Sequence, residues 1–181
     1  MVLEYIQSDL YRYTGKTTIG AFLKQILLSH TYRHQVYMRL SNAAGPVKYV
    51  GRGLYYLSRY LHRGLQISYK CQIGYGLYIG HDGPIVVSPY TTIGDNCNLS
   101  QFTTIGTNSN QGATIGSQVY IGPSVCVVES VSIGDNVTIG AGSVVTKDIP
   151  DNATAVGNYA KVINYTNPAQ YIQNPWKHKL Q

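Results

Sequence analysis

A chain of 181 residues with a formal net charge of +6 has room for one substantial domain with an appendage, and not for two ordinary ones. Its basic residues stand singly between Arg12 and Arg63 and in the tail, with no helix-turn-helix, zinc-finger or RNA-binding signature, which argues against nucleic acid and for a polyanionic small molecule or an acidic glycan. Cys71, Cys97 and Cys126 lie too far apart for a disulfide framework, Glu4 and Asp9 break any signal peptide, and the apolar run Ala21 to Leu28 is far short of a membrane span, so a cytoplasmic protein is expected.

Residues 1–64 read as an α-helical N-terminal region. Phe22, Leu23, Ile26 and Leu27 define an apolar stripe, with Thr17 or Thr18 as its N-cap. A second helix is expected from Tyr32 to Leu40, ended by Asn42 and the Gly45-Pro46 break. A third is expected from about Tyr49 to Arg63, with Leu54, Leu57 and Leu61 on one face and Gly64 as C-cap. Tyrosine is abundant, seventeen in all, and its ring and hydroxyl suit packing between helices as well as contact with a sugar face.

Residues 65–150 carry the strongest order in the chain. Aliphatic residues return every six positions at Ile67, Ile73, Ile79 and Ile85, then at Ile93, Leu99 and Ile105 after an interruption, and from Ile115 to Val145 in unbroken sixes. Neither a helical period of 3.6 nor a strand period of 2 produces this beat. Short strands joined by tight corners, three to a coil, do, and they stack as a parallel β-solenoid. Four positions after the aliphatic residue there is usually a small or β-branched one (Cys71, Cys97, Thr103, Val119, Val125, Val131, Val137, Ser143), as the inside of a narrow coil requires. Gly-Asp-Asn at 94–96 and 134–136 supplies corners that tolerate left-handed backbone angles. Residues 151–181 form a C-terminal extension that beyond Tyr165 reads as an extended tail, lying on the surface or partly disordered.

The tandem [Ile/Leu/Val]-Gly-x-x-x-x motif resembles the hexapeptide-repeat acyltransferases. The segment Ile73-Gly-Tyr-Gly-Leu-Tyr-Ile-Gly-His-Asp-Gly-Pro-Ile-Val-Val is similar to the part of serine O-acetyltransferases that holds their active-site histidine. Ser8 to Tyr13 and Tyr32 to Leu40 look like the N-terminal helices of those enzymes and of relatives that acetylate bacterial surface polysaccharides, and Val145 to Pro150 and Ala155 to Ile163 resemble the closing signature. The resemblance implies a mainly β fold, a left-handed parallel β-helix behind a small helical region. It also implies a homotrimer, in some relatives a dimer of trimers, with acetyl-CoA as co-substrate and no metal. The solenoid holds one histidine, His81, on a corner of an early coil, and the resemblance makes it the general base. Position by position it implies that coenzyme A meets Pro123, Ala141, Gly142, Thr146, Lys147 and Lys161, the lysines suiting phosphates.

The departures from serine acetyltransferase concern the acceptor. Gln66 stands where those enzymes have the Asp that orients the histidine, Gly80 replaces an Asp, and Ser88-Pro89 replaces Gly-Glu. Gln111-Gly112 replaces an Arg-His pair in a shortened loop. A zwitterionic amino acid needs paired charges, whereas a sugar hydroxyl needs mostly neutral hydrogen bonds. The expected reaction is therefore direct O-acetylation of a capsular or exopolysaccharide sugar or its precursor, with serine O-acetylation for cysteine biosynthesis as the alternative. A non-catalytic trimeric scaffold is a further reading. A zinc hydratase would need three histidines per metal, and the solenoid has one to offer.

Overall fold

The computed structural model describes residues 2–61 and 64–177, so the last two positions of the third predicted helix and the terminal Leu180-Gln181 lie outside the described residues. Five coils of a three-faced parallel solenoid form the body. The first face stacks β1 (Leu65–Ile67), β4 (Ile85–Val87), β7 (Thr104–Gly106), β10 (Cys126–Val128) and β13 (Val144–Val145). The second stacks β2 (Gln72–Ile73), β5 (Thr92–Ile93), β8 (Thr114–Ile115) and β11 (Ser132–Ile133). The third stacks β3 (Tyr78–Ile79), β6 (Asn98–Leu99), β9 (Tyr120–Ile121), β12 (Thr138–Ile139) and β14 (Thr154–Val156), which β15 (Lys161–Asn164) closes in antiparallel fashion.

All eight small or β-branched positions expected inside the coil are buried, with Cys97, Val119, Val125, Val137 and Ser143 fully inaccessible. Burial pushes the thiols of Cys71 and Cys97 up to about 11 and about 12, which keeps them protonated. With native protein near neutral pH, we expect a disulfide-type thiol reagent to label only the half-buried Cys126, and all three cysteines after denaturation. Three reactive thiols in the native state would contradict this packing.

The corners obey backbone rules. Asn96, Gln118, Asn136 and Asn152, one in each of the last four coils on the edge between second and third faces, have φ between +57° and +62°. Asn accepts this region readily; Gln118 does so because its amide donates to Asn136 Oδ1 at 3.0 Å. Each Asp beside them bonds the coil above: Asp95 Oδ1 accepts from Tyr75 N–H at 2.7 Å and Asp135 Oδ1 from Ser117 N–H at 2.6 Å. A Cβ on Gly94 would lie 2.7 Å from the Gly116 backbone, so coil stacking itself demands glycine there.

Strand register relocates one interruption of the beat. Ile67, Val87, Ile105, Val127 and Val145 align across the first face, so the strong position of the second coil is Val87 and not Ile85. Eight positions separate Ile79 from Val87, against six from Leu99 to Ile105, Ile121 to Val127 and Ile139 to Val145. The extra two residues fall in the corner Gly80 to Pro84, which bears His81.

Four helices precede the solenoid: α1 (Val2–Thr14), α2 (Ile19–Leu28), α3 (His30–Leu40) and α4 (Val47–Leu61). Thr18 caps α2, its Oγ1 accepting from Ala21 N–H at 3.3 Å, and Ser29 caps α3, which therefore starts two residues earlier than expected. α4 likewise starts at Val47, directly after Pro46. Its orientation reverses the expected one. Gly51, Tyr55 and Ser58 face inward, while Leu57 and Leu61 are exposed. A Cβ on Gly51 would sit 2.5 Å from the Leu40 backbone, so the close crossing of α3 and α4 selects the glycine face for burial.

α1 and α3 cover the open end of the solenoid, whose first coil has no neighbour above it to take its backbone groups. Asp9 and Arg39 form a buried bidentate pair at 2.9 and 3.0 Å. Asp9 Oδ1 also accepts from Leu77 N–H at 2.9 Å, while Arg39 donates to Ile73 O at 2.6 Å and Gly74 O at 2.7 Å. Arg12 donates to Gly76 O at 2.6 Å, Gln35 to Leu77 O at 2.9 Å, and Ile79 N–H donates to the Tyr13 hydroxyl at 3.1 Å. Tyrosines fill the same seam: Tyr5 stacks on Tyr75 with centroids 4.0 Å apart, and Tyr13 packs on Tyr32 and Tyr78.

The tail up to residue 177 is docked. Running back along the third face, it accepts from Asn98 through Tyr171 O at 3.1 Å and from Arg12 through Gln173 O at 2.8 Å. Asn96 bonds both backbone groups of Trp176.

Candidate active site

His81 sits in the wide corner where the third face turns into the first, and its side chain is exposed. The corner is fixed on three sides. Ile85 N–H donates to Gly64 O at 2.8 Å and Phe102 N–H to Pro84 O at 2.6 Å, and Asp82 pairs with His30 at 3.2 Å. A Cβ on Gly83, whose φ is +154°, would lie 2.7 Å from Gln101 Cβ, so the corner rests directly on the coil below. Gly80 is glycine for a different reason: its missing Cβ would meet the Tyr78 ring at 2.8 Å. The Tyr78 ring thus occupies the space that a side chain at position 80 would need.

The edge that carries His81 continues down the solenoid. Ser124 N–H donates to Gln101 O at 3.0 Å and Gly142 N–H to Pro123 O at 2.8 Å, so the corners of successive coils form one ladder. Pro123, Ala141 and Gly142 stand on it, about two and three coil spacings of ~4.8 Å below His81. Gly142 has φ +69°, and a Cβ there would meet nothing within 4 Å, which leaves its surroundings open. Lys161 follows onto the same edge, because Ala160 N–H donates to Val144 O at 2.8 Å and Lys161 pairs with Val156. Thr146 and Lys147 do not join them. They lie on the next edge, between the first and second faces, beside a small cavity shared with Glu129 and Ser130.

Gln66 is exposed on β1, next to Val86 in register, and lines a cavity of about 450 Å³ with Arg59, Ser68, Ser88, Pro89 and Thr107. His81 is outside this lining, joined to it through β4. The shortened loop borders it: Glu129 accepts from Thr107 at 3.0 Å and from Asn108 Nδ2 at 3.3 Å. Sequence reasoning assigned nothing to Arg59 or Gln101. Arg59 donates to the Tyr55 hydroxyl at 3.3 Å, and Gln101 Oε1 is buried one coil below His81 without a partner among the described residues. Both occupy positions that the six-residue beat leaves unmarked. Among the described residues no three His, Cys, Asp or Glu side chains converge as metal ligands would.

Residues 112–147 match the family model for bacterial transferase hexapeptide (six repeats). A serine acetyltransferase of Helicobacter pylori is 36% identical over 119 residues, 64% of this chain and 69% of that protein. The chain belongs to the serine acetyltransferase family of hexapeptide-repeat acyltransferases. A family member from Synechococcus elongatus is 33% identical over 143 residues, and the chain spans 56% of its length. Soybean serine acetyltransferase superposes with a TM-score of 0.69 at 25% identity, covering 88% of this chain and 67% of that one. The Brucella abortus enzyme in complex with coenzyme A has the same fold, with a TM-score of 0.68 at 23% identity over 90% of this chain and 66% of its own. The family's fold is the left-handed parallel β-helix, and the five coils described above are its solenoid.

Proposed function

We propose that this chain is an acetyl-CoA-dependent O-acetyltransferase in which His81 accepts the proton of an acceptor hydroxyl as that oxygen attacks the thioester carbonyl. The tetrahedral intermediate then collapses to ester and coenzyme A thiol. The observation that carries this reading is the shared edge: a lone exposed imidazole stands above Pro123, Ala141 and Gly142, with Lys161 at the foot. A cofactor laid along that edge presents its thioester to His81 and its phosphates to a lysine. The ring nitrogen of a neutral imidazole can take up the hydroxyl proton as the new bond forms. No nucleophile among the described residues is bonded to His81, which favours direct transfer over a covalent acyl-enzyme.

Thr146 and Lys147 lie one edge away, so a cofactor along the His81 edge meets them only if a neighbouring chain presents its own. A homotrimer that sets one chain's edge against the next chain's face satisfies this. Free Cys71, Cys97 and Cys126 and the supply of acetyl-CoA fit a cytoplasmic reaction.

For the acceptor, the names of the relatives support serine directly. The sugar reading rests on this chain's own residues. Position 80 is closed by Tyr78, position 111 is Gln, and Gln66 offers an amide where an orienting carboxylate is expected. The cavity beside Gln66 is lined by the hydroxyls of Ser68, Ser88 and Thr107, one guanidinium and several apolar side chains, with no carboxylate among its lining residues to meet an amino group. Thiol release from acetyl-CoA, measured with serine and with neutral and acidic sugars, decides between them. We expect release with sugars and at least ~100-fold lower kcat/KM with serine. Preference for serine would overturn the sugar reading alone, and absence of any His81-dependent turnover would overturn the transferase.

A further inference from the structure

The polar wall of the cavity beside Gln66 is made of hydrogen-bond donors. Arg59 enters it from α4, half-buried and aimed by a buried neighbour: its Nη1 donates to the Tyr55 hydroxyl at 3.3 Å, and that hydroxyl donates in turn to Ile67 O at 2.9 Å. Ile67 stands between Gln66 and Ser68, two residues of the lining, so the guanidinium is fixed against the strand that walls the cavity. The Nε and Nη2 edge of Arg59 donates to no group among the described residues, and no carboxylate there pairs with it. Arg12 and Arg39 differ, with every guanidinium nitrogen committed to Asp9, Asn98 or a backbone carbonyl.

Two hydroxyls of the wall have the same sense. Ser68 Oγ accepts from Lys70 N–H at 3.2 Å and Ser88 Oγ from Tyr90 N–H at 3.4 Å, so in each the hydroxyl proton is left to donate. Gln66, exposed on β1, adds an amide. The Thr107 hydroxyl is instead engaged by Gln111 O at 2.8 Å and Glu129 Oε2 at 3.0 Å, and Glu129 itself is not a lining residue. One guanidinium edge, two hydroxyls and an amide therefore converge on a space that no acid lines.

We infer that this cavity holds an anionic oxygen group of the acceptor, a carboxylate or a phosphate, gripped by the Nε and Nη2 edge of Arg59 with Ser68 and Ser88 donating to its remaining oxygens. The inference rests on the acetyltransferase reading above and specifies its acceptor. Both kinds of group offer paired oxygens to a planar fork, which is the geometry a guanidinium matches. His81 lies beyond β4, three residues or ~10 Å of extended chain from the cavity. Serine does not bridge that gap, because adjacent carbons carry its carboxylate and its hydroxyl. An acidic glycan does, with the hydroxyl at His81 on one sugar and the anion on the next sugar or on a glycosyl phosphate.

The test reads binding apart from turnover, by NMR titration of the full chain with methyl glucoside, methyl glucuronide and glucose 1-phosphate at ~0.05 M and ~0.5 M salt. The two anions are expected to bind at least ~10-fold tighter than the neutral glycoside at low salt, with a margin that shrinks as salt rises. Which anion binds tighter identifies the source of the group. Arg59→Gln should abolish the margin without shifting the thermal midpoint, and Arg59→Lys, which keeps the charge but not the fork, should retain part of it. Equal binding of the three probes, or an undiminished margin in Arg59→Gln, overturns the inference. So does a fall in oligomer size for Arg59→Gln with the margin intact, which would assign the guanidinium to a contact between copies. If Arg59→Gln melts early, Arg59→Lys decides, and a margin equal to that of the wild type overturns the bidentate grip. A clear margin without His81-dependent thiol release would overturn the transferase reading while the anion site stands.

Discussion

Replacing His81 with Ala is expected to lower kcat by ~10²–10⁴ while leaving the fold and the KM for acetyl-CoA close to those of the parent. The imidazole is exposed, so its removal opens no cavity and orphans no buried partner. The corner around it is held by backbone bonds to Gly64 O and from Phe102 N–H, and by the packing of Gly83 on Gln101. Those contacts do not involve the imidazole. The loss should therefore appear in kcat with the thermal midpoint unchanged. A variant of unaltered kcat with every acceptor would remove His81 from the chemistry. A matching drop in thermal stability would give it a structural role.

Arg39→Ala should produce the largest stability loss among single changes in the helical region, about 3–5 kcal/mol by chemical denaturation. The guanidinium holds both carboxylate oxygens of Asp9 and two carbonyls of the first coil, and both side chains are nearly inaccessible. Burial already pushes the Asp9 carboxyl above its ordinary value, with Arg39 opposing that rise. Without the arginine, Asp9 keeps its burial and loses its cation, so its folded pKa moves further up. A group whose folded pKa lies above its unfolded one stabilises below the unfolded value and loses that contribution as pH rises. The Arg39→Ala deficit should accordingly be smallest below about pH 4 and widen toward neutrality. A deficit under about 1 kcal/mol, or one independent of pH, would show that the pair does not hold the helices on the solenoid.

These two changes separate the two parts of the molecule. One removes a group that the fold only presents; the other removes a group that lets a repeat of open-ended coils terminate.

What the amino-acid sequence determined by itself is local and periodic. A six-residue beat with small residues at a fixed offset admits only a narrow coil, so the solenoid, its interior from Cys71 to Ser143 and its Asp-Asn corners were legible from spacing. His81 stood out as the one imidazole within that beat, but its expected role as general base came from the family resemblance alone. The tertiary structure alone decided what depends on contact between distant segments. The beat places a residue within its unit but not on one of three edges, so it could not tell that Thr146 and Lys147, which the resemblance grouped with Gly142, lie on a different edge of the same chain. It could not tell that the extra two residues belong to the His81 corner, because Ile85 and Val87 are both aliphatic and both buried. An amphipathic pattern on α4 identified the stripe of Leu54, Leu57 and Leu61 but not which side is covered. That choice fell to Gly51, which permits the close approach of Leu40, and to Tyr55, whose hydroxyl donates to Ile67 O at 2.9 Å. The sequence read the tail as extended but not where it docks, because it docks largely through its own backbone carbonyls, which every residue carries alike.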